Sequence, residues 1–256
     1  MIPMNRIREA AGKPSRHVVD RWFARKVSIY ITWLLLHTPV SANQVTLLSL
    51  AVMLGGLACI AAGTAALLAV GVALLLLAYI LDCCDGEVAR CRNRTSLRGE
   101  YLDALVHAAT IPAMFLAAGM GQMLRTGKPD ALWLGAAAAI AAMNPAKTAL
   151  AAVRDAAVRR TTAANGAGEP AGSDTAQPPV PRAKRVYLNT LGRLLIFPNS
   201  MFVLCAAALA DAILAGSGRG ALYYTLAFYA LLLTMEQALA AASWSREQRL
   251  AQEVRR

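Results

Sequence analysis

Long apolar runs separated by short polar or basic stretches set the rhythm of this chain. A helix needs about 20 mostly apolar residues to cross a bilayer. Six segments meet that length: residues 45–65, 66–85, 101–124, 131–153, 194–216 and 221–243. The first two nearly touch across 63–66, which predicts a tight connection. Ahead of them, residues 19–37 mix Arg21, Arg25 and Lys26 with Trp22, Phe23, Ile29, Ile31 and Trp33. That mixture predicts an amphipathic helix in the membrane interface, basic face toward the headgroups. Its apolar stretch 27–36 is too short to span. Pro39 marks a break, and Asn43 is placed to cap the first spanning helix. Residues 161–181, rich in Ala, Gly, Ser, Thr and Pro, read as a flexible cytoplasmic linker. The expected fold is all-α and integral to the membrane. One domain, 1–256, would hold six transmembrane helices behind an interfacial N-terminal segment, 1–44.

Composition agrees. The chain is 57% hydrophobic and 16% charged, whereas soluble domains carry about 25% charged residues, so two soluble domains could not be covered. The net charge of +11 brings nucleic acid to mind, but the basic residues flank apolar segments instead of interleaving with aromatics on a polar fold. Lipid headgroups or nucleotide phosphates are the more natural partners, and nucleic acid is not expected. The distribution of charge also sets orientation. Of 26 lysines and arginines, 23 fall in the N-terminal stretch, the 90–98 connection, the 147–193 connection and the tail. The positive-inside rule then puts both termini in the cytoplasm. Residues 1–26 lack an apolar core followed by a cleavage site, so the first spanning helix is expected to direct insertion. Cys83, Cys84 and Cys91 lack the paired spacing of a zinc site and read as small packing residues.

The chemistry concentrates where the second apolar run ends, in LDCCDGEVARCRNRTSLRGEYLDALVHAA. Asp82, Asp85, Asp103 and His107 lie in or beside apolar helix, and an ionisable group at membrane depth is functional by default. Asp82 and Asp85 are i,i+3 and share a helix face; Gly99, Asp103 and His107 recur every four residues and share another. A short loop between them predicts antiparallel neighbours whose polar faces meet at the cytoplasmic end. Clustered carboxylates call for a cation, and oxygen ligands suit one or two Mg²⁺ or Mn²⁺ ions completed by substrate phosphates. Gly86 and Gly99 permit close approach to the backbone, Ala89 is small, and Arg90 offers a fork for phosphate oxygens. Arg92, Arg94 and Arg98 are equally read as part of the positive-inside cluster. Glu87 and Glu100 fall off the motif face. A cation transporter would account for the acids by charge alone, though not for the Gly-x-x-Ala-Arg spacing or for acids gathered at one membrane face.

Asp82-x-x-Asp85-Gly86-x-x-Ala89-Arg90, eight residues, Gly99-x-x-x-Asp103-x-x-x-His107 resembles the signature of the CDP-alcohol phosphotransferase family, D-x-x-D-G-x-x-A-R followed by G-x-x-x-D-x-x-x-D. Seven of eight positions match, and the segment Pro39…Asn43-x-Val45-Thr46 is similar to the family's entry into the first span. The resemblance implies transfer of a phospho-alcohol unit, phosphatidyl among others, from a CDP-alcohol such as CDP-diacylglycerol to an acceptor alcohol, with release of CMP, in phospholipid biosynthesis. It implies a dinuclear Mg²⁺ or Mn²⁺ centre on Asp82, Asp85 and Asp103. Gly86, Ala89 and Gly99 would make room for cytidine, and Arg90 with Asp85 would position its phosphates. Asn43 and Thr46 join that substrate-binding set. A homodimer in the bacterial inner or plasma membrane is also implied, with the active site cytoplasmic.

The departure is His107, where the family carries a fourth aspartate, usually both metal ligand and general base. Imidazole can ligate metal or accept a proton, but not with the same nitrogen. His107 is therefore read as the base of a variant transferase alongside Asp103, or as a metal ligand, or as the mark of a weakly active or inactive binding relative. For the acceptor, Asn144, Pro145, Lys147, Arg154, Arg193, Glu236 and Gln237 stand on later helices, while Asp211 reads as a far-side helix-end residue. Glycerol phosphate, inositol or its phosphate, serine and choline-like alcohols are all compatible.

Overall fold

A computed structural model describes residues 4–10, 24–143, 199–214 and 220–253. The described residues are helical, with no strand among them. The elements are α1 (Met4–Ala10), α2 (Arg25–Leu36), α3 (Ala42–Ala61), α4 (Ala65–Cys91), α5 (Leu97–Thr126), α6 (Asp130–Ala142), α7 (Asn199–Leu214) and α8 (Ala221–Glu253). Three of them, α3, α4 and α5, are long and apolar enough to cross a membrane; α6 and α7 are shorter apolar helices. The linker 161–181 and Asn144, Pro145, Lys147, Arg154 and Arg193 lie outside the described residues.

Local chemistry sets the helix ends. Ser41, not Asn43, caps α3. Its side chain accepts from the Gln44 amide while Gln44 returns a bond to the Ser41 amide, a reciprocal capping box that satisfies two orphan donors. Thr64 caps α4 by accepting from Leu67 N, Ser96 caps α5 by accepting from Gly99 N, and Gly127 ends α5 at φ 69°.

The α3–α4 connection is as tight as expected, turning at Gly63 with φ 74°. Side-chain-free positions then let backbones approach. A Cβ at Gly71 would sit 2.8 Å from the Gly56 carbonyl, and one at Gly135 would lie 2.7 Å from the carbonyl of Phe115. A Cβ at Gly121 would collide with the Ile60 carbonyl. Small residues at such crossings are how apolar helices associate where lipid competes for every apolar contact. The core between them holds Leu68, Leu75, Phe115, Met201, Leu226 and Tyr229.

The end of the bundle away from the acidic motif is fastened by a buried charge. Asp211, 3% exposed, accepts from Ala221 N (2.6 Å) and Leu222 N (3.2 Å) and pairs with Arg125 NH2 at 2.5 Å. The carboxylate thus meets the positive N-terminus of α8 and a guanidinium from α5. Asp211 is more than a helix-end residue, since it joins α5, α7 and α8.

Gly121→Ala is expected to lower thermal stability of the detergent-solubilised protein by about 1–3 kcal/mol, the usual cost of overpacking. Gly55→Ala, whose Cβ would meet only Leu74 at 3.9 Å, should be neutral or mildly stabilising. Paired melting curves check the contrast.

Candidate active site

α4 and α5 are joined by a short loop and both pack on α3 instead of on each other, and their side chains bring the two halves of the acidic motif together. Asp82 and Asp85 stand near the end of α4; Asp103 and His107 stand in the first turns of α5. Ligand atoms of Asp82, Asp103 and His107 all lie within 4.8 Å of one another. His107 Nε2 is 3.7 Å from Asp82 Oδ2, and Nδ1 is 3.3 Å from Asp103 Oδ1. Nδ1 is also 3.0 Å from the Asp103 backbone carbonyl. A carbonyl only accepts, so the tautomer protonated at Nδ1 would donate to it and leave Nε2, on the Asp82 side, for a metal. Two carboxylates and an imidazole nitrogen form a donor set that fits a divalent ion with some affinity for nitrogen.

Asp85 is not in that group of three. Its Oδ2 accepts a 2.6 Å bond from Thr46 Oγ1, and it faces a neighbouring cavity of about 210 Å³. Asn43, Thr46, Asp85, Gly86, Ala89, Arg90 and Gly99 all line this cavity, together with Asp103, which belongs to both sites. The glycines explain the shape. A Cβ on Gly86 would come within 2.9 Å of the Arg90 guanidinium, and one on Gly99 within 3.4 Å of Asn43 Oδ1. Arg90 Nε meanwhile donates to the Ala10 carbonyl at 2.5 Å, so the last residue of α1 borders the site.

Several lining residues escaped the sequence reading. Glu100, set aside because it falls off the motif face, lines the cavity with Thr95 and Ser96, beside Arg94, which was read with Arg90 as a cation for phosphate or as part of the positive-inside cluster. Their position in the loop and first turn between the two motif halves was the available signal. Arg92 is turned away, its guanidinium donating to the carbonyls of Leu35 (3.2 Å), Thr38 (2.7 Å) and Val40 (2.5 Å). Glu87 is buried against α2, with Oε1 accepting from Ser28 Oγ (2.8 Å) and Oε2 from Thr32 Oγ1 (2.6 Å). The inward face of α2 is therefore hydroxylic, while Tyr30, Trp33 and Leu34 point outward. Glu236 and Gln237 are on α8, where Gln237 donates to the Ala141 carbonyl at 3.0 Å and joins α8 to the end of α6.

The family model described as CDP-alcohol phosphatidyltransferase matches residues 39–216. A bifunctional IPC transferase and DIPP synthase of Rubrobacter xylanophilus is 42% identical over 99 residues, or 37% of this chain. The matched stretch spans 22% of that relative's length.

Thr46→Val removes the donor to a largely enclosed carboxylate and is expected to cost about 1–3 kcal/mol of stability. Thr46→Ser, which keeps the hydroxyl, should restore most of it. Thermal unfolding of the two variants side by side checks this.

Proposed function

The chain belongs to the CDP-alcohol phosphatidyltransferase family, and from that premise we propose that it transfers a phospho-alcohol group from a CDP-alcohol to an acceptor alcohol, releasing CMP. The observation that carries this reading is the placement of the Asp82–Asp103–His107 cluster beside the cavity lined by Asp85, Gly86, Ala89, Arg90 and Gly99. A site for metal and a space for nucleotide meet at Asp103.

The proposed roles follow from position. The cavity takes the cytidine diphosphate portion, with Gly86, Ala89 and Gly99 giving it room and Arg90 and Arg94 facing its phosphates. Asp82, Asp103 and His107 Nε2 hold divalent metal, Mg²⁺ or Mn²⁺, with Asp85 available to a second ion. Such an ion supplies neutralisation of the charge developing on the pyrophosphate. The acceptor oxygen attacks the donor's β-phosphorus, the bond to the CMP oxygen breaks, and Asp103 takes the acceptor's proton. With Nδ1 on a backbone carbonyl one nitrogen is left, and the clustering of its ligand atom with those of Asp82 and Asp103 within 4.8 Å is what supports His107 as ligand over base. An imidazole in place of a carboxylate also moves the metal preference toward Mn²⁺.

Six membrane crossings, with both termini and the site at the cytoplasmic face, belong to the same proposal, and the lysine and arginine distribution supports that orientation. The bacterial inner or plasma membrane, CDP-diacylglycerol as donor and a homodimer remain part of the proposal. The relative's printed name, IPC transferase and DIPP synthase, makes acceptors and donors of those two reactions the first to try, ahead of the wider panel of alcohols.

The test is metal-dependent CMP release by purified protein across that panel, with Mn²⁺ binding followed separately by its electron paramagnetic resonance signal. His107→Ala should abolish transfer and weaken Mn²⁺ binding by about tenfold or more, while His107→Asp keeps part of both. Unchanged Mn²⁺ binding in an inactive Ala variant would return the base role to His107. Full activity in that variant would remove the histidine from the chemistry altogether.

A further inference from the structure

Glu87 and Arg92 flank Arg90 on α4, yet neither side chain faces the cavity. Both instead hold α2, at two separate places. Glu87, 2% exposed, accepts from Ser28 and Thr32, each wholly buried, one turn apart on the inward face of α2. Arg92 spreads its fork over the carbonyls of Leu35, Thr38 and Val40, which end α2 and form the corner leading to α3. Two residues five positions apart, at the end of α4 and its C-cap, thus pin both the body and the C-terminus of α2.

A buried carboxylate is a poor way to add stability, since its desolvation consumes much of what its bonds return. Simple packing of α2 would be served equally well by apolar residues. Charged groups add direction: a carboxylate with two hydroxyl donors and a guanidinium with three carbonyl acceptors admit one register only. That register matters because the corner fixed by Arg92 runs directly into the first turn of α3. Asn43 and Thr46 stand there, the first against Gly99 and the second bonded to Asp85.

We infer that Glu87 and Arg92 form a two-point clasp that positions Asn43 and Thr46 in the cavity by fixing the α2–α3 corner on α4. They are positioning residues, and their effect on catalysis rests on the proposed reading of that cavity as the nucleotide site. Two consequences separate this from a general structural role. Loss of the clasp shifts α3 against α5 at the cavity. It also weakens donor binding more than it slows turnover.

The experiment uses the full chain with Glu87→Ala, Glu87→Gln and Arg92→Lys. The α3–α5 geometry is read by disulfide closure in an added Asn43→Cys/Gly99→Cys pair, followed by peptide mass spectrometry. Donor binding is read without that pair, as KM and kcat for the CDP-alcohol. Glu87→Ala and Arg92→Lys should slow closure severalfold and raise KM about tenfold, the fold-change of one hydrogen bond to a charged group, with a smaller fall in kcat. Glu87→Gln, which keeps one acceptor oxygen and the side-chain size, should recover part of both and guards against misfolding of the Ala variant. Closure rates equal to the parent pair, or changed closure with unchanged KM, overturn the inference. If the parent releases no CMP from any donor, the proposed function fails on its own, and closure still decides whether the clasp exists.

Discussion

A carboxylate placed in an apolar helix costs about 2.5–3.5 kcal/mol unless something receives it, and α4 carries three within six residues. With 3.6 residues per turn, Asp82 and Asp85 lie roughly 60° apart around the helix, whereas Glu87 points roughly 140° away from Asp82. No single neighbour can serve all three. Each faces a different direction: Asp82 lies 3.7 Å from His107 on α5, Asp85 accepts from Thr46 on α3, and Glu87 accepts from Ser28 and Thr32 on α2. The end of α4 is therefore the hub to which three other helices bring polar groups, and their arrangement follows from the need to satisfy it.

Satisfying a hub by short bonds requires close backbones. The small-residue crossings provide them: Gly56 on Gly71, Gly121 on Ile60, and Gly119 on Gly135. At the opposite end a second buried charge, Asp211, is met by Arg125 and by the amides that open α8. The bundle is thus apolar through its middle and polar-locked at both ends, with different purposes. The lock at Asp211 encloses its carboxylate with three donors and leaves little for a ligand. The one at the end of α4 leaves Asp103 half exposed and a cavity beside it.

Much of this was legible in the sequence, because it is written in short-range spacing. The apolar runs gave the helices, and i,i+3 and i,i+4 intervals placed Asp82 with Asp85 and Asp103 with His107. What could not be read depends on partners far along the chain. Ser28 and Thr32 stand in a stretch that looks merely apolar, and Glu87 stands 55 or more residues away; no local pattern couples them. Arg92 looked like one more basic residue at a membrane face until its three carbonyl partners were seen. Asn43 was misread as a cap for a different reason. Ser41 has Gln44 three residues on, and that reciprocal pair outcompetes a lone amide side chain.

The histidine shows how one substitution narrows a site's options. An aspartate at 107 would offer two equivalent oxygens and a negative charge, each oxygen able to turn toward a different partner. Imidazole offers one lone pair when neutral, and here Nδ1 lies 3.0 Å from the carbonyl of Asp103, four residues back on the same helix. With that nitrogen on the carbonyl, the other stands 3.7 Å from Asp82. On the proposed reading, the cluster gives up one negative charge and a mobile base, and gains a rigid ligand. Proton transfer then falls to Asp103, the group that touches both the cluster and the cavity. On the same proposed reading, the acceptor alcohol reaches the site from the side where Asp103 is exposed.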